Sequence, residues 1–107
     1  MAPESRAEAI AKIRALAQAG WVNMHRRAQQ RMEQLGYDVT DVEEFLTELQ
    51  EDECIGDGPP DHPEFAPQGW VYEFVIDLEG ELPLYIKLCL NPNNAYILSF
   101  KLEGSPA

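Results

Sequence analysis

The spacing of the apolar residues changes once along this chain, and the change constrains its fold class. Up to Leu49 they recur every three to four residues, as on helices that face a core; from Trp70 they recur every second residue, as on strands with one buried side. In the Ala-rich stretch 5–19, Ile10, Ile13, Leu16 and Ala17 form the first helical stripe, and Gly20 stands where a C-terminal cap is expected. Asn23 offers a cap to a second helix, with Met24, Ala28, Met32 and Leu35 inward, ending at Gly36. Its outward face carries His25, Arg26, Arg27, Gln30 and Arg31. Thr40 and Glu43 have the spacing of a capping box for a third helix, with Val42, Phe45, Leu46 and Leu49 inward and Asp41, Glu44, Glu48 and Glu51 outward.

Residues 52–68 hold four prolines and two glycines without a usable period, so they are read as an acidic loop, long enough to serve as a lid or a partner-binding segment. Three strands follow. The first sets Trp70, Tyr72, Phe74, Ile76 and Leu78 on one side, and Glu79-Gly80 turns the chain. The second sets Leu84, Ile86, Leu88 and Leu90 on that side, and Asn91 to Asn94 make the next turn. The third sets Tyr96, Leu98, Phe100 and Leu102 there. The opposite, mixed side then carries Glu73, Asp77, Tyr85, Lys87, Ser99 and Lys101. The expected fold class is α+β: N-terminal helices packed on one face of a C-terminal three-stranded antiparallel sheet. A length of 107 residues, 45% of them hydrophobic, suits one domain spanning 1–107, with Met1 to Glu4 and Gly104 to Ala107 expected to be disordered ends.

Neither an apolar run of about 20 residues nor a secretory leader is read in the sequence, so no membrane association is expected. Cys54 and Cys89 lack CxxC spacing and are read as reduced thiols in a cytoplasmic protein. The net charge of −11 is unevenly spread. Residues 1–37 carry six bases against three acids, whereas residues 38–64 carry eleven acids and no Lys or Arg. The front of the molecule is therefore mildly basic and its middle strongly acidic.

Two places can carry chemistry. Tyr85 and Lys101 share the mixed face on neighbouring strands, where a phenol and an ammonium can reach one phosphodiester and do acid–base work without a metal; the same residue types also suit a merely solvated sheet face. Arg27 and Arg31 lie one helical turn apart, with His25 and Gln30 close by, and such a face can hold RNA phosphates or simply pair with the acidic third helix. Cys54, Asp57, Asp61 and His62 resemble metal ligands by type, but their spacing fits neither a zinc nor a calcium pattern, so no metal or other cofactor is expected. Neither a glycine-rich phosphate loop nor a GxSxG elbow is present.

Two stretches, "HRRAQQRMEQLGYDVTDVEEFLTEL" from His25 and "LYIKLCLNPNNAYILSFKLE" from Leu84, resemble the helical middle and the terminal hairpin of the MqsR-type toxins of bacterial toxin–antitoxin modules, within the RelE-like group. Ser99-Phe100-Lys101 is the most specific piece. The resemblance implies a RelE-like fold and a metal-independent endoribonuclease acting on mRNA, with a cognate antitoxin and the ribosome as partners and no direct contact with DNA. It places the family's catalytic tyrosine on Tyr85 and its terminal catalytic lysine on Lys101; the basic helix face, with His25, Arg27 or Arg31 standing in for a cation the family carries elsewhere, and Lys87 make up the expected RNA-binding set. The family's usual lysine after the third helix and glutamine in the first strand of the sheet have no counterpart in "EDECIGDGPP" and "GWVYEFVID". An alternative reading of the same scaffold is a non-catalytic module whose acidic third helix and loop bind a basic protein.

Overall fold

The computed structural model describes residues 5–61, 69–78 and 82–103. The expected terminal disorder, the turn at Glu79-Gly80, His62 and the end of the 52–68 segment lie outside them. The described residues form three helices, α1 (Arg6–Gln18), α2 (Arg26–Gln34) and α3 (Val39–Thr47), and a short 3-10 turn spans Glu51–Glu53. The strands are β1 (Val22–Met24), β2 (Cys54–Gly58), β3 (Trp70–Ile76), β4 (Leu84–Leu90) and β5 (Ala95–Leu102), in the order β1-β5-β4-β3-β2.

The α+β class stands, but the sheet is five-stranded and mixed rather than three-stranded and antiparallel. The meander β3-β4-β5 is antiparallel as expected. β2 adds antiparallel to β3, and β1 adds parallel to β5. β1 has three residues, too few for an alternation to show, and its partner β5 is about seventy residues away in the chain. β2 lies inside the segment read as a loop. Its Gly56, Asp57 and Gly58 are poor strand formers, and an irregularity between Cys54 and Gly56 puts Ile55 outward, 55% exposed.

α1 and α2 end in the same way. Trp21 N–H reaches Leu16 O at 2.9 Å after Gly20, and Tyr37 N–H reaches Met32 O at 3.0 Å after Gly36. Both glycines have φ near +80°, the left-handed conformation such a cap needs. The N-caps differ from expectation. His25, not Asn23, caps α2, because the Asn23 side chain accepts from Asn94 Nδ2 at 2.8 Å and so ties β1 to the β4–β5 turn. Asp38 and Asp41, not Thr40 and Glu43, form the capping box of α3, with both bonds at 2.9 Å.

The core joins Ile10, Ile13 and Ala17 of α1 and Val42 and Leu46 of α3 to Tyr72, Phe74, Ile86, Leu88 and Phe100 of the meander. α2 packs against β5 and sends Ala28 and Met32 into the same core. In β5 the expected alternation fails at its start. The register advances from Lys87↔Ser99 to Leu88↔Ile97, so Leu98 is an extra residue. This bulge puts Ala95 and Ile97 inward where Tyr96 and Leu98 were expected, and restores Phe100 inward and Ser99 and Lys101 to the mixed face. Among the described residues, no helix is long and apolar enough to cross a membrane.

Candidate active site

The polar side of α2 and the mixed face of the sheet line one cleft of about 970 Å³. α2 contributes Arg27 and Arg31, one turn apart along the helix, and its N-cap contributes His25. The strands contribute Glu73 from β3, Lys87 from β4, and Ser99 and Lys101 from β5. The pairing explains why these four meet: Glu73 stands opposite Lys87, and Lys87 opposite Ser99, so they share a face across three strands. Leu98, displaced by the bulge, and Val71 give the cleft apolar surface, while Asp57 and Asp61, at and beyond the end of β2, complete its rim.

Five residues expected from sequence, His25, Arg27, Arg31, Lys87 and Lys101, thus line one cavity. Tyr85 is absent from the lining. It lies opposite Lys101, whose Nζ is 5.4 Å from the centroid of its ring, and its hydroxyl donates to Glu73 Oε2 at 3.1 Å. Burial, with the neighbouring Glu73 charge and its hydrogen bond, pushes the Tyr85 phenol up to about 12. The phenol is therefore protonated at neutral pH, able to donate a hydrogen bond and unable to serve as a base.

The cap of α2 also orients His25. Its Nδ1 accepts from the Arg27 backbone N–H at 3.2 Å, which leaves Nε2 to carry the ring N–H. Among the described residues, neither Arg27 nor Lys87 has a carboxylate within ion-pairing distance. Asp57 is already committed. One oxygen accepts from Arg6 Nε at 2.9 Å and the other from Trp70 Nε1 at 3.1 Å, and these bonds, the Trp70 bond foremost, hold its carboxyl below the ordinary value. Asp57 therefore fastens β2 to α1 and β3.

Both thiols are buried, and burial pushes each above its usual value, so neither is an activated nucleophile. Among the described residues, no group of three His, Cys, Asp or Glu side chains is placed to hold a metal ion. Sequence reasoning put Glu73 on the mixed face without giving it a role. Its register opposite Lys87 was the signal available. The β2 rim was hidden by reading 52–68 as a loop. No model of a known protein family matches the chain, and no curated protein matches it.

Proposed function

We propose that this protein is a metal-independent mRNA endoribonuclease of the RelE-like, MqsR type, acting as the toxin of a toxin–antitoxin module. The observation that carries this reading is the meeting of Arg27, Arg31, Lys87 and Lys101, from three separate elements, with the Glu73 carboxylate on one cleft. Guanidinium and ammonium groups recognise phosphate oxygens and offset the charge that builds on phosphorus when a neighbouring 2′-hydroxyl attacks it. In a chain of net charge −11, such a cluster is a local exception that favours phosphate on this cleft over the acidic middle of the molecule. Lys101 supplies the proton for the leaving 5′-oxygen, and His25, through Nε2–H, donates to a phosphate oxygen.

The exposed acids Asp38, Glu44, Glu48, Glu51 and Asp52 favour one other reading, a module that binds a basic protein. Expression from a tightly controlled promoter in a bacterial host separates the two. Wild type should arrest growth and create new mRNA 5′ ends, and the Lys87→Ala, Lys101→Ala double variant should do neither. In binding assays on single-stranded RNA, the double variant should flatten the plot of log affinity against log salt by about 1.4, or about 0.7 per lost phosphate contact. Normal growth and intact mRNA with folded wild-type protein would reject the ribonuclease reading in favour of the binding module.

A further inference from the structure

Resting on the ribonuclease reading of the cleft, we infer that Glu73 is the catalytic residue that takes the proton from the ribose 2′-hydroxyl, and that Tyr85 is a positioning residue that aims its carboxylate. Glu73 lines the cleft beside Lys87 and Lys101, and Tyr85 does not. The Tyr85 hydroxyl occupies Oε2 of Glu73 at 3.1 Å, and no described side chain donates to Oε1. One oxygen is thus anchored and the other is open to a ligand. A half-buried carboxylate held on one side only has the geometry of a general base. A phenol that donates to a carboxylate, and whose own proton is held more tightly by burial and by that charge, cannot take a second one. Asp57, another carboxylate on the rim, has both oxygens bonded to Arg6 and Trp70.

The step balances without a cofactor. Glu73 accepts the 2′-hydroxyl proton as the O2′–P bond forms, the P–O5′ bond breaks, and the Lys101 ammonium gives its proton to the departing 5′-oxygen. The products are a 2′,3′-cyclic phosphate and a 5′-hydroxyl end, and solvent returns the proton from Glu73 to Lys101. Lys87, directly opposite Glu73, and Arg27 and Arg31 across the cleft face the charge that develops on the phosphoryl oxygens. The substrate class follows from this chemistry. It must be a ribonucleic acid, because the nucleophile is the 2′-hydroxyl, and single-stranded, because in-line attack needs a sugar free to turn away from helical geometry.

The test uses the purified full chain on a labelled single-stranded RNA of mixed sequence and on the DNA of the same sequence. Wild type should cut the RNA and leave the DNA intact. Glu73→Gln should lower kcat by about a hundredfold or more, with RNA affinity within about threefold and an unchanged circular dichroism spectrum. Tyr85→Phe, which loses one orienting hydrogen bond, should lower kcat by only about tenfold. Formate should restore part of the activity of Glu73→Ala, a rescue that a purely structural role would not produce. Glu73→Asp, which retains a carboxylate, guards against a folding defect in the other variants and should keep more activity than Glu73→Gln. The inference is overturned if Glu73→Gln cleaves like wild type, or if Tyr85→Phe is the more damaged enzyme and formate rescues nothing. A wild-type chain that cuts no RNA removes the ribonuclease reading itself, an outcome separate from the others because it appears before any substitution is made.

Discussion

On one face of β3 and β4, Tyr72, Phe74, Leu84, Ile86 and Leu88 are at most 1% exposed, and all belong to the core. On the other face of the same meander, Glu73, Lys87, Ser99 and Lys101 are only half-buried, and they line the cleft. Adjacent residues of one strand thus answer to different physics. The packed face draws its energy from apolar area removed from water, about 25 cal/mol per Å², and any loss of volume there leaves a void. The cleft face sets the Lys87 and Lys101 ammonium groups around the Glu73 carboxylate, half-buried and within reach of a ligand, so its worth lies in charge placed for binding and not in area removed from water. Substitutions on the two faces should therefore separate stability from RNA cleavage.

The largest separation should come from Phe74→Ala. Phe74 is fully buried and stacks near Tyr72, with ring centroids 6.5 Å apart. Its truncation should cost about 3–5 kcal/mol in urea unfolding, a large share of the stability of a domain this size. If the loss were under about 1 kcal/mol, the packed face would not be the source of the fold's stability.

Tyr85→Phe probes the boundary between the faces and should have a smaller effect. Removing the hydroxyl gives up the hydrogen bond to Glu73, about 1 kcal/mol at neutral pH. Its pH dependence is more diagnostic. The folded protein holds the Tyr85 proton up to about 12, against an ordinary value of 10.0, so the folded state binds that proton more tightly than the unfolded chain. The stabilisation is complete below pH 10 and is lost as the pH rises through about 12. Urea midpoints measured on either side of about pH 10 should fall less steeply with pH in Tyr85→Phe than in wild type. Equal slopes would mean that the phenol is not buried beside a charged Glu73.

How much of this division could be read in advance varies from residue to residue. The inward phase of Tyr72, Phe74, Leu84, Ile86 and Leu88 and the outward phase of Glu73, Tyr85 and Lys87 follow from a period of two, which is a local property. The phase of β5 does not, because the bulge at Leu98 exists only in its pairing with β4 and exchanges Tyr96 for Ile97. β1 was hidden by its length and by a partner distant in sequence, and Asn23 looked like a cap until Asn94 claimed its side chain. β2 was hidden by its composition, since Gly56, Asp57 and Gly58 form a strand only because β3 offers an edge and Asp57 is held by Arg6 and Trp70. The cations were visible one by one. Their convergence was not, because it depends on β1 pairing beside β5, which sets α2 against β5.

Lys101→Ala should have the smallest effect on stability and is the most direct test of the contrast between faces. The Lys101 ammonium, 5.4 Å from the Tyr85 ring centroid, contributes about 0.5–1 kcal/mol by attraction to the ring. On the same cleft face Lys87 repels it and Glu73 attracts it, and the truncation removes both. These two offset each other, which leaves mainly the ring contact, so the unfolding free energy should move by less than about 1 kcal/mol while RNA cleavage falls by about a hundredfold, the scale of a lost proton donor. A destabilisation above about 1 kcal/mol would break the comparison, because it would make Lys101 part of the packed structure and its place on the cleft a by-product of folding. A smaller change in stability, joined to lost cleavage, would show that the sheet keeps this lysine for the ligand and not for the fold.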